Sequence, residues 1–285
     1  MGFIKKYCTM ISIMLISIFL LCSCTYFKSS NESDSYNGIK VHYIDIDQGD
    51  SELIQVNGKN LLIDAGPNKS KDKLMSYLSN HNIKKFDYVI ATHPDEDHIG
   101  GMGDVIKNYT VDTFYAPKKI SNTRTFEYMI NQLKNKNMKI DVPKPGMQLD
   151  FGNNTKAEIL APNSDSYPGT NDYSIVLKIT YGNNKFLFTG DAEKASEMEM
   201  LHKNYDITAD VLKVGHHGSS SSTSEEFLNR VNPKIAIISC GKDNKYGHPT
   251  KKTINKLKKK DIQIYRTDID ETIVLKSDGN TITKE

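Results

Sequence analysis

After the apolar run Tyr88-Val89-Ile90, the chain reads Ala91-Thr92-His93-Pro94-Asp95-Glu96-Asp97-His98-Ile99-Gly100-Gly101, with two histidines and three acids in six positions. Imidazoles and carboxylates this close repel or desolvate one another unless a cation sits among them. Nitrogen and oxygen donors of these kinds suit Zn²⁺, Mn²⁺ or Fe²⁺. Pro94 and the Gly100-Gly101 pair argue against a simple helix here, which predicts that His93, Asp95, Asp97 and His98 sit on a tight loop at a strand end. A solvated acidic turn would need neither the second histidine nor the paired glycines.

The flanking sequence alternates strand and helix patterns. Val41 to Ile46, Leu53 to Val56 and Asn60 to Ile63 read as strands, the last two joined at Asn57-Gly58. Leu74, Met75 and Leu78 have helical spacing over 72–80, and Asp87 to Ala91 is a strand. Downstream, strands are predicted over 114–116, 157–161, 175–180, 185–189, 210–214 and 235–239, and helices over 124–136, 192–201, 224–231 and 250–260, followed by two closing strands. No repeat or internal boundary interrupts this series. Strand-rich halves, each with helices, predict one α+β domain of two sheets packed face to face and covered outside by helices.

The N-terminus has a different character. Lys5 and Lys6, the apolar stretch Met10 to Leu21 and Cys22-Ser23-Cys24 read as a secretion signal over residues 1–23, too short for a comfortable membrane span. Leu21-Cys22-Ser23-Cys24 resembles a bacterial lipobox, which implies that Cys24 receives lipid and becomes the new N-terminus. The Ser/Asn-rich stretch over 24–37 reads as a flexible tether, with the folded domain over 38–285. The expected location is extracytoplasmic, anchored to the cell membrane by lipid. Cys240 is then the one free thiol, so stability must come from the core and any metal. The formal charge is +2; without Lys5 and Lys6 the remaining chain is neutral, and global charge predicts no polyanion partner.

Four later blocks join the charged run: Asn171-Asp172-Tyr173-Ser174, Phe188-Thr189-Gly190-Asp191, Leu212 to Ser219 with His216-His217 at its centre, and Tyr246-Gly247-His248-Pro249. Together they resemble the metallo-β-lactamase fold superfamily, whose signature is His-x-His-x-Asp-His followed by Gly-Gly. They are most similar to the variant in the extracytoplasmic domain of the ComEC competence proteins, where the second His is Asp. The resemblance implies a four-layer αβ/βα sandwich. It also implies two divalent metal ions, Zn or Mn, with His93 and Asp95 on the first, Asp97 and His98 on the second, and Asp191 bridging. Either His216 or His217 completes the second site; His217 is preferred, with His216 facing the substrate, because neighbours at a strand end point to opposite faces. Asn171 stands where the superfamily usually has another histidine, and an amide oxygen favours a harder cation.

Two cations sharing a carboxylate lie roughly 3.5–4 Å apart and can stabilise both the attacking and leaving oxygens of an in-line displacement at phosphorus. The implied activity is phosphodiester hydrolysis, with DNA as the leading substrate. Asp97, His216 and His248 are the candidate catalytic residues; Asn171, Ser174, Ser219 and Tyr246 are candidate substrate contacts. Gln48, Asp50 and Ser51 border the site, and Asp64 can support it. Six lysines over 251–260, with Tyr246 and Tyr265 nearby, offer a nucleic-acid surface, although such a run is more often a solvated face. The alternatives are a small-phosphoester esterase acting on a substrate such as phosphorylcholine at the cell wall, which the absence of Trp disfavours, and a non-catalytic metal-stabilised binding protein. Nothing in the sequence calls for an obligate protein partner.

Overall fold

Apolar residues on both faces of successive strands build two sheets in the computed structural model, which describes residues 37–285. The expected signal peptide, lipidated Cys24 and all but the last residue of the tether lie outside the described residues. The first sheet contains β1 (Ile39–Tyr43), β2 (Glu52–Val56), β3 (Lys59–Ile63), β4 (Lys85–Ile90), β5 (Thr110–Tyr115) and β6 (Ile140–Asp141). The second contains β7 (Gln148–Leu149), β8 (Thr155–Ala161), β9 (Val176–Tyr181), β10 (Asn184–Phe188), β11 (Val211–Lys213), β12 (Ile235–Ile238) and β13 (Gln263–Arg266). The chain then returns to the first sheet as β14 (Ile273–Ser277) and β15 (Ile282–Lys284). The strand orders are β15-β14-β1-β2-β3-β4-β5-β6 and β13-β12-β11-β10-β9-β8-β7.

Side-chain alternation assigns each strand to two layers of core. Leu61 and Ile63 of β3, with Phe186 and Phe188 of β10, fill the space between the sheets. Their neighbours Leu62 and Leu187 point outward into separate clusters. Helices cover both outer clusters. On the first sheet lie α1 (Lys71–Asn80), α2 (Glu96–Ile99), α3 (Met102–Asn108) and α4 (Arg124–Asn135). On the second lie α5 (Lys194–His202), α6 (Glu225–Val231) and α7 (Lys251–Lys258), and the short α8 (Thr267–Asp270) follows β13. Residues 37–285 therefore form the expected four-layer α+β sandwich as one unit. Thr123, Ser224 and Thr250 start α4, α6 and α7 by accepting the backbone N–H three residues on. No helix among the described residues is long and apolar enough to cross a membrane.

The charged run corrects the sequence reading. Its second half is not loop: Glu96–Ile99 is a helical turn, Gly100 keeps helical angles (φ −56°, ψ −44°), and α3 follows at once. The glycines serve packing. A Cβ on Gly100 would lie 2.1 Å from the Asn68 nitrogen, and one on Gly101 would lie 2.5 Å from the Ala65 oxygen. The paired glycines let this helical stretch lie against the loop after β3.

Parallel pairing positions the site. Strands β3 to β6 run parallel, as do β10 to β13. The residues following β4 and β10 meet, so the C-terminal ends of both sets open on one edge of the sandwich.

Candidate metal centre

Asp191, which follows β10, is the hub of this edge. His98 Nε2 lies 3.3 Å from Asp191 Oδ1, while His216 Nε2 and His217 Nε2 each lie 3.6 Å from Asp191 Oδ2. His217 Nε2 also lies 3.3 Å from Asp97 Oδ2, and His93 Nε2 lies 3.6 Å from Asp95 Oδ2. Donor atoms of His93, His98 and Asp191, and of Asp97, His98 and His217, form groups tight enough to hold a metal ion. The six residues predicted as ligands are thus brought together.

Acceptors behind three imidazoles set their direction. His98 Nδ1 lies 2.7 Å from Asp64 Oδ2 and His216 Nδ1 lies 3.0 Å from Glu193 Oε1, while His217 Nδ1 donates to the Ser239 carbonyl at 2.9 Å with Asp50 Oδ1 alongside at 3.1 Å. With Nδ1–H donated backward, each Nε2 is left aimed at the cluster. Asp64 is itself held by the Thr92 backbone N–H (2.8 Å) and hydroxyl (2.6 Å). Asp50 is held by Lys213 Nζ at 2.6 Å, a buried ion pair beneath the centre.

These surroundings fit a cation. His93 Nε2, His98 Nε2, His217 Nε2 and Asp191 Oδ1 are buried without hydrogen-bond partners, an expense a fold retains when something else satisfies the atoms. Burial alone lowers the His217 imidazole, but Asp191 and Asp50 outweigh it and hold the group up at about 10. His98 is likewise raised: burial opposes the shift, and Asp191 and Asp64 overcome it. Burial raises Asp191, yet His217 and His98 hold it well below the usual carboxylate range. The cluster is built to gather positive charge around one carboxylate.

Several expectations need correction. His216 and His217 are not strand neighbours facing opposite ways: both adopt left-handed angles (φ 49° and 51°) on a turn after β11. Both therefore face Asp191, and burial separates them, the His217 side chain being 2% exposed and that of His216 24%. Ser174 is not a substrate contact. It is fully buried, and its Oγ accepts the Asp191 N–H at 3.1 Å and lies 3.3 Å from His93 Nδ1. Ser219, also buried, pairs its hydroxyl with Ser221 rather than presenting it to solvent. Asn171 donates its amide to Glu193 Oε1 at 3.2 Å, which leaves that nitrogen 3.3 Å from His216 Nδ1. Tyr265 packs on the inter-sheet core beneath the Lys284 ammonium, and Lys256 turns back onto the carbonyls of Ser222 and Thr223.

The centre has an open side. His248 reaches its mouth, with its ring 5.3 Å from that of His216 and stacked on Tyr246 at 5.9 Å. Burial, then His216, lowers the His248 imidazole, and its Nδ1 has no partner. Tyr246, 56% exposed, stands on the rim of a cleft of about 850 Å³ that Asp95, Asp97 and Gln48 also line. Lys213 was the residue most easily missed. A lysine inside the apolar run Val211 to Val214 calls for a buried counter-ion, and that was the available signal.

Residues 44–242 match the profile of the Metallo-beta-lactamase superfamily. The chain is 34% identical over 252 residues to ComE operon protein 3 of Bacillus subtilis, covering 82% of this chain and 32% of that protein. It is 29% identical over 240 residues to Recombination protein 2 of Haemophilus influenzae, covering 82% and 28% respectively. The chain thus spans about a third of the length of these curated relatives. Among solved structures, the metallo-beta-lactamase fold protein YhfI from Bacillus subtilis aligns with a TM-score of 0.54 at 16% identity, over 87% of this chain and 100% of that one, a likeness of fold.

Proposed function

The chain belongs to the metallo-beta-lactamase superfamily, whose members are generally metal-dependent hydrolases, and from that premise we propose that it hydrolyses phosphodiesters, with DNA as substrate. The observation that carries this reading is the convergence of the unpartnered His93, His98, His217 and Asp191 atoms beside an open cleft. His93 with Asp95, and Asp97 with His98 and His217, would hold two divalent cations, with Asp191 between them. Such cations lower the pKa of water and neutralise charge on phosphoryl oxygens. Asp95 in place of a second histidine enriches the oxygen donors and favours a harder ion such as Mn²⁺ beside Zn²⁺.

The chain's own residues do the rest. Asp64, Glu193 and the Ser239 carbonyl, with Asp50 beside it, orient the imidazoles behind the centre. His216 and His248, edge to face at the mouth, are placed to hydrogen-bond a phosphoryl oxygen or the leaving group. Tyr246 offers an exposed ring beside them. A relative named for recombination supports a DNA strand as substrate, and a lipid anchor at Cys24 would hold the enzyme outside the cytoplasm.

The test is hydrolysis of single-stranded DNA and of bis(p-nitrophenyl) phosphate by the full-length chain with Mn²⁺, Zn²⁺ or chelator. Metal-dependent cleavage of both, lost in Asp97→Ala, is expected. Full activity under chelation would overturn the metal mechanism. Turnover of the small diester alone would replace DNA by a small phosphoester.

A further inference from the structure

A second cleft lies on the same edge of the sandwich. It encloses about 710 Å³, and Lys118, Lys144 and Lys203 line it together with Tyr173, Tyr205 and Pro143. Lys118 follows β5, Pro143 and Lys144 follow β6, and the Pro162–Asp165 wall follows β8. Because β4, β5 and β6 are parallel and β8 runs in the same direction as β10, these strand ends open where β4 and β10 deliver His93 and Asp191. The cleft walls follow strands one or two removed from β4 and two removed from β10, roughly 5–10 Å along the edge from the metal centre.

Charge and surface chemistry identify what the cleft takes. Twelve lysines elsewhere are tied into ion pairs with carboxylates and others, such as Lys251 and Lys252, are not; what sets Lys118, Lys144 and Lys203 apart is that they line one cleft together. None of the three ammonium groups here has a partner among the described residues. One carboxylate, Asp165, shares the lining, leaving a local excess of positive charge that the small net charge of the whole chain, +2, hides. The apolar surfaces are held rigidly. Tyr205 donates its hydroxyl to Asn163 Oδ1 at 3.1 Å, and Tyr173 accepts the Tyr167 backbone N–H at 3.1 Å. Lys119 lies 4.7 Å above the Tyr173 ring, a further cation at the margin. Tyr173 also ends the turn that begins with Asn171, which touches His216, so cleft and centre are joined through one structural element.

We propose that this cleft binds single-stranded nucleic acid beyond the scissile bond, its lysines on phosphates and Tyr205 and the prolines under the bases. The inference rests on the reading of the chain as a nuclease and assigns where the strand lies. Unpaired cations beside fixed aromatic and apolar surfaces are the chemistry that holds a single strand.

The experiment is fluorescence anisotropy of labelled (dT)20 with the full-length chain under chelator, so that binding is read apart from cleavage. In the triple variant Lys118→Gln/Lys144→Gln/Lys203→Gln, affinity is expected to fall at least about tenfold at 0.1 M salt. The slope of log K against log salt should lessen by about two, three phosphates at roughly 0.7 each. Turnover of bis(p-nitrophenyl) phosphate should stay within about twofold of the parent chain, since the small diester does not reach the cleft. Unchanged affinity and slope would overturn the proposal, as would an equal loss of small-diester turnover, which would place the effect at the centre. Equal binding of an abasic 20-mer would overturn it in favour of a general polyanion site. Lysine-dependent binding without DNA cleavage would uphold the cleft and overturn the nuclease reading.

Discussion

His98 and His217 come from different halves of the chain and arrive in similar postures, each with Nε2 toward Asp191 and Nδ1 beside a buried carboxylate, although His217 donates that N–H to the Ser239 carbonyl. The difference lies one layer deeper. Asp64, behind His98, is satisfied by two neutral donors of Thr92, whereas Asp50, behind His217, is neutralised by the buried Lys213 ammonium. Neutral donors orient a carboxylate with little dependence on remote residues. An ion pair sealed between two sheets makes the second half of the centre depend on both charges being present.

The strongest way to break the comparison is Lys213→Met, which strands the Asp50 carboxylate. About 3–5 kcal/mol of stability should be lost in urea unfolding, and a loss below about 1 kcal/mol would show that Asp50 does not need its cation. Next in size are the carboxylates themselves. Asp64→Asn and Asp50→Asn should each weaken metal binding about 10–100-fold by calorimetry. Asp50→Asn should also destabilise the metal-free chain, because it strands Lys213; equal stability of the two variants would remove the asymmetry.

Titration sharpens what the halves share. His98 and His217 are raised in the folded state, so in metal-free protein their protonation stabilises the fold fully below the unfolded histidine value. That contribution fades as pH climbs toward about 10 for His217. Thermal unfolding under chelator should therefore show the histidine contribution shrinking from pH 6 to pH 9. A cation must expel those protons, so its affinity should rise over the same range, by about tenfold per pH unit for each proton released. Metal affinity independent of pH would contradict the shifts. The smallest effect belongs to Thr92→Val, which removes one neutral donor from Asp64 and should cost about 1–3 kcal/mol, less than Lys213→Met; the reverse order would invert the comparison.

Much of the centre was legible because its chemistry is written locally. His93, Asp95, Asp97 and His98 lie within one short run, and Asp191 and the His216-His217 pair stand at the ends of apolar strand patterns. The alternation that assigned strands also foretold two sheets with cores on both faces. Reading went astray where a residue's purpose lay across the fold. Gly100 and Gly101 look like helix breakers in a local window, yet they are small because the backbone of 65–68 passes within contact distance. Ser174 looks like an available hydroxyl in its motif, and the structure turns it under His93 and Asp191.

The sequence by itself determined the donor types, their spacing within each block and the strands that carry them, since these follow from covalent neighbours and side-chain periodicity. Tertiary structure alone decided which carboxylate backs which imidazole. It also decided that His216 and His217 turn toward the same acid, and that three unpaired lysines share a cleft beside the centre. Those relations join residues such as Asp50 and Lys213, 163 positions apart. They exist only once burial of apolar faces has brought the two sheets together.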